Sequence, residues 1–357
     1  MNILDNYGLT DRFLNEAKLY PTLSLARIIT QYRGLYKIVT QQGEGQAEIS
    51  GKFRFETTEL AKFPTVGDFV MVTADSNKST AIIHHVLTRK SIFLRTAVGV
   101  SGQAQSVAAN IDTVFICMSL NHNFNLSRLE RYLSVAWDSG AIPVILLTKT
   151  DLCKNLETAL AEVARVSAFC DVIPLSVFDE NVAQKLSKYL KSGTTSAFIG
   201  SSGVGKSTLI NKLLGEDIVA TSDIGKADKG KHTTTGRELF VCPFGGVLID
   251  TPGMRELGAE STDLGKAFDD IEALADHCKF HDCTHTNEPG CAIVKALQNG
   301  TLDERRFHNY CKLKAETGYN GLNAKEIEVK KLERMFKDVG GIKNKRKFTK
   351  ELHKNKQ

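Results

Sequence analysis

The 357-residue chain carries 46 Lys and Arg against 41 Asp and Glu, a formal charge of +5, with 42% hydrophobic and 24% charged residues. These fractions are those of a soluble globular protein, and the length exceeds one ordinary domain, so two or three are expected. No apolar run reaches the roughly 18 to 20 residues a membrane helix needs, which excludes that class.

The stretch Met1 to Tyr20 is polar and mixed in charge, and reads as neither a signal peptide nor a transit peptide. The first hundred residues then look all-β. Short runs rich in β-branched residues cover Ala26 to Thr30, Leu35 to Val39, Gln46 to Ile49, Asp68 to Thr73 and Ala81 to Val86. Gly34, Gly43, Gly45, Gly51 and Gly67 punctuate them, which predicts a small barrel of OB-fold or SH3-like type. The Gly- and Ser-containing stretch Val98 to Asn110 reads as a linker.

From Ile111 the pattern changes. Buried strands are predicted at Thr113 to Ser119, Ile142 to Leu147, Asp171 to Leu175 and Ser196 to Ile199, separated by helices at Leu126 to Ser139, Leu156 to Ala168 and Val182 to Leu190. A helix follows at Lys206 to Leu214, and Leu239 to Cys242 pairs with Gly246 to Ile249 as a hairpin. Continuous apolar strands alternating with amphipathic helices imply a multidomain α/β chain whose mainly parallel sheet is covered by helices on both faces. After Gly258 the strands stop, and Leu264 to His277, Ala292 to Asn299 and Leu302 to Glu316 read as helices. Residues 342 to 357 hold seven Lys or Arg against one acid, so the basic character of the chain is local. Such a block is a solvated tail suited to nucleic acid.

The segment Gly200-Ser201-Ser202-Gly203-Val204-Gly205-Lys206-Ser207, with Thr208 after it, is a Walker A loop between a strand and a helix. Its glycines let backbone N–H groups close around phosphates, Lys206 reaches their oxygens, and Ser207 suits Mg²⁺. Asp250-Thr251-Pro252-Gly253 ends a strand, where Asp250 can serve Mg²⁺ and the Gly253 amide can sense a γ-phosphate. Thr148-Lys149-Thr150-Asp151 ends another strand. The Asp151 carboxylate can accept from guanine N1–H and its exocyclic amine, and the Lys149 stem can lie along the ring. Backbone N–H groups of Ser176 and Val177 would meet guanine O6. The base motif precedes the phosphate loop, the reverse of the ordinary GTPase order, so the domain reads as circularly permuted.

The loop Gly225 to Gly236 is the expected first switch, with Thr233 or Thr234 closing the Mg²⁺ shell. Where Ras-like enzymes place a water-orienting Gln, this chain has Met254, so intrinsic hydrolysis should be slow. His232 is the best polar candidate to position water, and Arg237 and Arg255 are weaker candidates for charge stabilisation.

Eight cysteines fall into two groups: Cys117, Cys153, Cys170, Cys242 and Cys311 are scattered, whereas Cys278, Cys283 and Cys291 cluster with histidines. Reduced thiols and a metal site point to the cytoplasm. Cys278, Cys283, His285 and Cys291 offer three thiolates and one imidazole within 14 residues, a set suited to one closed, structural Zn²⁺ site. His277 and His281 compete as imidazoles, with His285 preferred by spacing.

The β-rich start, the order of these motifs and the run from Cys278 to Cys291 together resemble the ribosome small-subunit-dependent GTPase A family, RsgA (also called YjeQ). The resemblance implies an OB-fold RNA-binding domain over residues 1–97, a permuted GTPase domain over 98–258, a helical zinc domain over 259–341 and a basic tail over 342–357. It implies hydrolysis of GTP to GDP, stimulated by the 30S subunit, GTP-dependent binding to that subunit and its 16S rRNA, and a role in late 30S maturation by a monomer. The family's catalytic histidine would fall on His232 and its zinc ligands on Cys278, Cys283, His285 and Cys291, while the motifs themselves put the expected magnesium ligands at Ser207, Thr234 and Asp250. Two other readings are an autonomous nucleotide hydrolase, which Met254 opposes, and an RNA-binding protein with a vestigial site, which intact Lys206, Ser207 and Asp250 oppose.

Overall fold

The structure is a computed structural model that describes residues 2–32, 34–74, 80–96, 103–167, 169–219, 237–250, 264–286 and 288–317. Two short helices, α1 (Ile3–Asn6) and α2 (Asp11–Ala17), precede strands β1 (Ser24–Gln31), β2 (Tyr36–Thr40), β3 (Gly43–Ile49), β4 (Phe69–Ala74) and β5 (Thr80–Val86), with α3 (Gly51–Glu56) after β3. The order β1-β2-β3-β5-β4, closed by β4 on β1, makes a five-stranded barrel with one parallel step, β3 on β5. This settles the choice left open by the strand pattern in favour of an OB-like barrel.

The alternation of side chains along each strand explains the two faces. Ala26, Ile28, Tyr36, Ile38, Val70 and Val72 fill the barrel interior. Ile29, Val39, Phe69 and Met71, on the opposite faces, join a second core that also takes Leu4 and Phe13 of α1 and α2.

Strands β6 (Ile92–Thr96) and β7 (Ala104–Ala109) pair antiparallel. The stretch expected to be a linker is therefore half strand. Val107, Ala108 and Ala109 are buried in the second core, a pattern that the weak periodicity of small residues concealed. The pair straddles the division expected after residue 97.

The rest of the sheet comprises β8 (Thr113–Ser119), β9 (Ile142–Thr148), β10 (Asp171–Pro174), β11 (Thr195–Ile199), β12 (Glu238–Val241) and β13 (Val247–Asp250). The intervening helices are α4 (Leu126–Asp138), α5 (Leu156–Ala164), α6 (Val182–Leu186) and α7 (Lys206–Leu214). The order is β10-β9-β8-β11-β13-β12, parallel except for β12. Leu129 and Leu133 of α4 and Val163 of α5 cover one face, with Val114, Ile116 and Ile145 beneath them. Val182 and Leu186 of α6 and Leu209, Ile210 and Leu213 of α7 cover the other, over Phe115, Leu146 and Phe198.

The barrel and this sheet are joined, because β1 pairs β12 at Thr30 and Glu238, so eleven strands form one continuous sheet. Arg27 of β1 crosses the junction fully buried. Its guanidinium donates to Thr195 Oγ1 at 2.9 Å, to the Gly67 carbonyl at 3.3 Å and to the Tyr7 carbonyl, and lies 4.8 Å over the Phe69 ring. Gly67 has φ +93°, and a Cβ there would sit 2.2 Å from the Ala109 carbonyl oxygen, so the close approach of barrel and β7 requires glycine.

The C-terminal unit contains α8 (Asp269–Ala275), α9 (Ala292–Gln298) and α10 (Glu304–Thr317) around Phe268, Ile271, Ile293, Tyr310 and Leu313. It docks on α4 through Glu130, which is fully buried and accepts from Arg306 at 2.9 Å, Arg305 at 3.2 Å and Asn309. Burial opposes the charge on Arg306, but hydrogen bonds to Asp270 and Glu130 hold its pKa above the ordinary value. Among the described residues no helix is long and apolar enough to cross a membrane.

Candidate nucleotide site and metal centre

The loop from Gly200 to Gly205 connects β11 to α7. Gly200 adopts φ +143°, and a Cβ there would meet the Cys117 carbonyl oxygen at 2.5 Å, so the loop can leave β11 beside β8 only without a side chain. Gly205, at φ +99°, caps α7. Lys206 Nζ donates to the carbonyls of Gly200 and Ser201, both at 2.7 Å, which curls its cation across the loop. Ser202 and Gly203 are exposed, Val204 is buried, and Ser207 and Thr208 occupy the first turn of α7. A curled glycine loop, an ammonium group and a helix N-terminus together make an anion cradle. Cys117 behind it is no nucleophile, because burial pushes its thiol up to about 12.

The parallel register sets the other segments at the same edge. Ser119 faces Thr148, Leu147 faces Pro174 and Ala197 faces Ile249, so β9, β10, β11 and β13 all end on one side of the sheet. Thr148 is fully buried and donates to the Val204 carbonyl at 2.7 Å, tying the expected base motif to the phosphate loop. Lys149 follows with φ +59°, and exposed Asp151 sits in the 3-10 turn Thr150–Leu152. Asp151 accepts from the Ser176 hydroxyl, which joins the two halves of the expected base site. Of the two amides expected to meet guanine O6, that of Ser176 donates to the Asp179 carboxylate at 3.2 Å. The Lys185 ammonium, and then this amide, hold Asp179 below the usual carboxylate range. Lys212 of α7 donates to the Val177 carbonyl at 2.8 Å, and the Val177 side chain lies 3.9 Å from the Cβ position of Gly205. Asp250 closes β13, opposite Glu238. These segments of sequence are thus brought together.

Other expected residues lie outside the described residues: His232, Thr233 and Thr234 of the first switch, Gly253, Met254 and Arg255 of the second, and the tail 342–357. Arg237, at the start of the described segment, is half-buried and donates to the Ser106 carbonyl at 3.4 Å.

Two residues at the phosphate loop were missed from sequence. Ser201 Oγ accepts from Asn123 Nδ2 at 3.1 Å and Arg128 Nη1 at 3.2 Å, and the same Arg128 nitrogen donates to Asn123 Oδ1 at 2.6 Å. Neither belongs to a motif. The only local signal is Asn125, whose side chain caps α4 by accepting from the Arg128 amide at 2.8 Å.

In the C-terminal unit the ligand atoms of Cys278, Cys283, His285 and Cys291 lie within 4.8 Å of one another. Cys278 Sγ is 3.8 Å from Cys291 Sγ, and both are 3.6 Å from His285 Nδ1. A tetrahedral Zn²⁺ with Zn–S bonds of about 2.3 Å sets its sulfur ligands about 3.8 Å apart, so the donor set fits that ion. Burial raises the Cys278 thiol, but the amides of Ala292 and Ile293 outweigh it and leave the group below its ordinary value, favouring the thiolate that a metal needs. Of the rival imidazoles, His277 instead lies 2.7 Å from the Ala273 carbonyl through Nδ1, and neither it nor His281 belongs to the cluster. Thr284 and Thr286 amides donate to Glu288, each at 2.9 Å, which braces the loop between His285 and Cys291.

Comparison with known proteins gives a consistent answer. The RsgA GTPase family profile matches residues 86–260. The small ribosomal subunit biogenesis GTPase RsgA 2 of Lactiplantibacillus plantarum is 48% identical over 334 residues, covering 93% of this chain and 94% of that protein. The RsgA of Methanosarcina acetivorans is 42% identical over 336 residues, covering 92% and 90%. The crystal structure of YjeQ from Thermotoga maritima superimposes with a TM-score of 0.60 at 25% identity, covering 83% of this chain and 98% of that one. The fold is also that of YloQ, a circularly permuted GTPase, with a TM-score of 0.59 at 24% identity over 83% and 95% of the two chains. Near-complete alignment at 48% identity makes this chain a member of the RsgA GTPase family.

Proposed function

We propose that this protein is a GTP hydrolase of small ribosomal subunit biogenesis, converting GTP and water to GDP and phosphate. The observation that carries this reading is the meeting of Thr148–Asp151, Ser176–Val177, Gly200–Ser207 and Asp250 at one edge of the sheet. Ligands of open α/β sheets bind at such carboxyl edges. Asp151 and Lys149 hold the guanine, with the Val177 amide at O6. Amides of Gly200 to Gly205, Lys206 and the start of α7 bind the phosphates, while Gly253 senses the γ-phosphate. Ser207, Asp250 and Thr234 hold Mg²⁺, which neutralises phosphate charge when bound. His232 positions the attacking water in place of the missing Gln.

The fit of the four ligand atoms supports one structural Zn²⁺. The gathering of three thiols and an imidazole into a ligand set supports a reducing compartment, the cytoplasm. The OB-like barrel and the basic tail support contact with 16S rRNA in the 30S subunit, and the relatives' name ties them to biogenesis of the small subunit, which we infer to be the activator.

The test is GTP hydrolysis by wild type and His232→Ala, with and without purified 30S subunits. Slow turnover alone, strong stimulation by subunits and loss in the variant under both conditions are expected. Equal rates with and without subunits would reject activation, and no turnover in either would reject the enzyme.

A further inference from the structure

Helix α4 touches the phosphate loop at one end and the Cys/His unit along its length. At its start, Arg128 and Asn123 hold the Ser201 hydroxyl. Less than one turn later, buried Glu130 accepts from Arg305, Arg306 and Asn309 of α10. Arg305 and Asn309 also reach back to Ser127, at 3.2 Å and 3.3 Å, and Arg131 pairs with Glu316 at 2.7 Å. Residues 127, 128, 130 and 131 are thus one turn of helix shared between two sites. Trp137, the sole tryptophan, packs at the far end against both apolar cores with Lys266 5.7 Å above its ring.

We propose that Asn123 and Arg128 are positioning residues of the phosphate loop and that α4 ties their setting to the docking of the Cys/His unit. The proposal rests on the assignment of Gly200–Ser207 as the phosphate loop. A helical turn is stiff, so a shift of Arg128 toward or away from Ser201 also moves Glu130 against α10. Glu130 tolerates little of this, because a buried carboxylate stays stable only while its donors remain in place. Nucleotide that draws Ser201 inward therefore favours one seating of the Cys/His unit, and by reciprocity that seating favours nucleotide.

The test is a double-mutant cycle in the full-length protein, read as the Kd for GDP carrying a fluorescent N-methylanthraniloyl group. Arg128→Ala should raise Kd about tenfold, and Arg128→Lys, which keeps a cationic donor, should recover most of it. Arg305→Ala, at a partly exposed residue with no contact to the loop, should raise Kd about fivefold in wild type and hardly at all beside Arg128→Ala. Saturating GDP should also change Trp137 emission in wild type and not in Arg128→Ala. Equal factors for Arg305→Ala in both backgrounds, no factor in either, or silent Trp137 emission in wild type each overturn the coupling. If wild type binds no labelled GDP, the nucleotide-site assignment falls and takes this proposal with it.

Discussion

The barrel and the Cys/His unit meet the central sheet in opposite ways. The barrel is joined by backbone: β1 pairs β12, and the same apolar core runs through both parts. Its buried cation, Arg27, is satisfied by two carbonyls and a hydroxyl. The Cys/His unit has its own core and is held to α4 by charges converging on Glu130 and by Trp137, which packs against that core. A strand-paired junction with a shared core has no second arrangement close in energy. An ionic junction can be re-seated if its partners move together, and fails if one is lost. The lesson is that the barrel acts as a fixed part of the sheet, whereas the Cys/His unit is the part whose docking can respond to nucleotide.

The largest test of this contrast is metal removal. Structural Zn²⁺ contributes on the order of 10 kcal/mol to small folds of this kind. Chelation should abolish amide-exchange protection around residues 278–291 while the barrel keeps its protection. Protection surviving there after complete chelation would show that the apolar core alone holds the unit. Acid should act in the same direction. Burial first, and then the Lys314 charge, hold His285 below its ordinary value, so folding disfavours its protonated form. Protons compete with the metal for this imidazole and for the three thiolates, so zinc should be released as pH falls. Bound zinc that stays constant to pH 4 would contradict this.

Next in size is Glu130→Ala, which removes one of the two carboxylates holding buried Arg306, leaves Asp270 as the other, and should cost about 3 kcal/mol, read from urea unfolding of the C-terminal unit. A loss below about 1 kcal/mol would mean that the apolar contacts, not the charges, make that junction. Arg27→Met keeps the stem on Phe69 but takes the Arg27 donor from the Tyr7 carbonyl and the Thr195 hydroxyl, while the Gly67 carbonyl keeps Asn110, and about 2 kcal/mol should be lost. Here barrel and sheet should still unfold as one transition, and separate transitions would refute the shared-core account. The smallest effect is expected for Thr148→Val, which removes one buried hydrogen bond to Val204 and should cost about 1 kcal/mol, with a similar loss of GDP affinity. Unchanged affinity would place Thr148 outside the nucleotide response.

Much of the molecule was legible in the chain because its signals are local. The predicted strands of barrel and sheet lie within a few residues of those observed, since period-two alternation and continuous apolar runs are one-dimensional patterns. The helix expected to reach Ala168 stops at Ala164, and the one expected to reach Leu190 gives way after Leu186 to a 3-10 turn, Ser187–Tyr189, because capping and packing set helix ends. The strand Ala104–Ala109 was lost because alanine, serine and glutamine carry little strand signal, and only its partner Ile92–Thr96 and the approach of Gly67 make it one.

The chain alone set the order of motifs and the residue types able to grip phosphate, guanine and a metal, because these depend on neighbours along the sequence. Packing in three dimensions decided that β1 joins β12, that the approach of Ala109 and Cys117 demands glycine at 67 and 200, and that Asn123 and Arg128 stand over Ser201. Those outcomes depend on contacts between residues far apart in sequence. A buried arginine, an arginine on a phosphate loop and a solvated one look the same until packing decides which carbonyls, hydroxyls and carboxylates surround them.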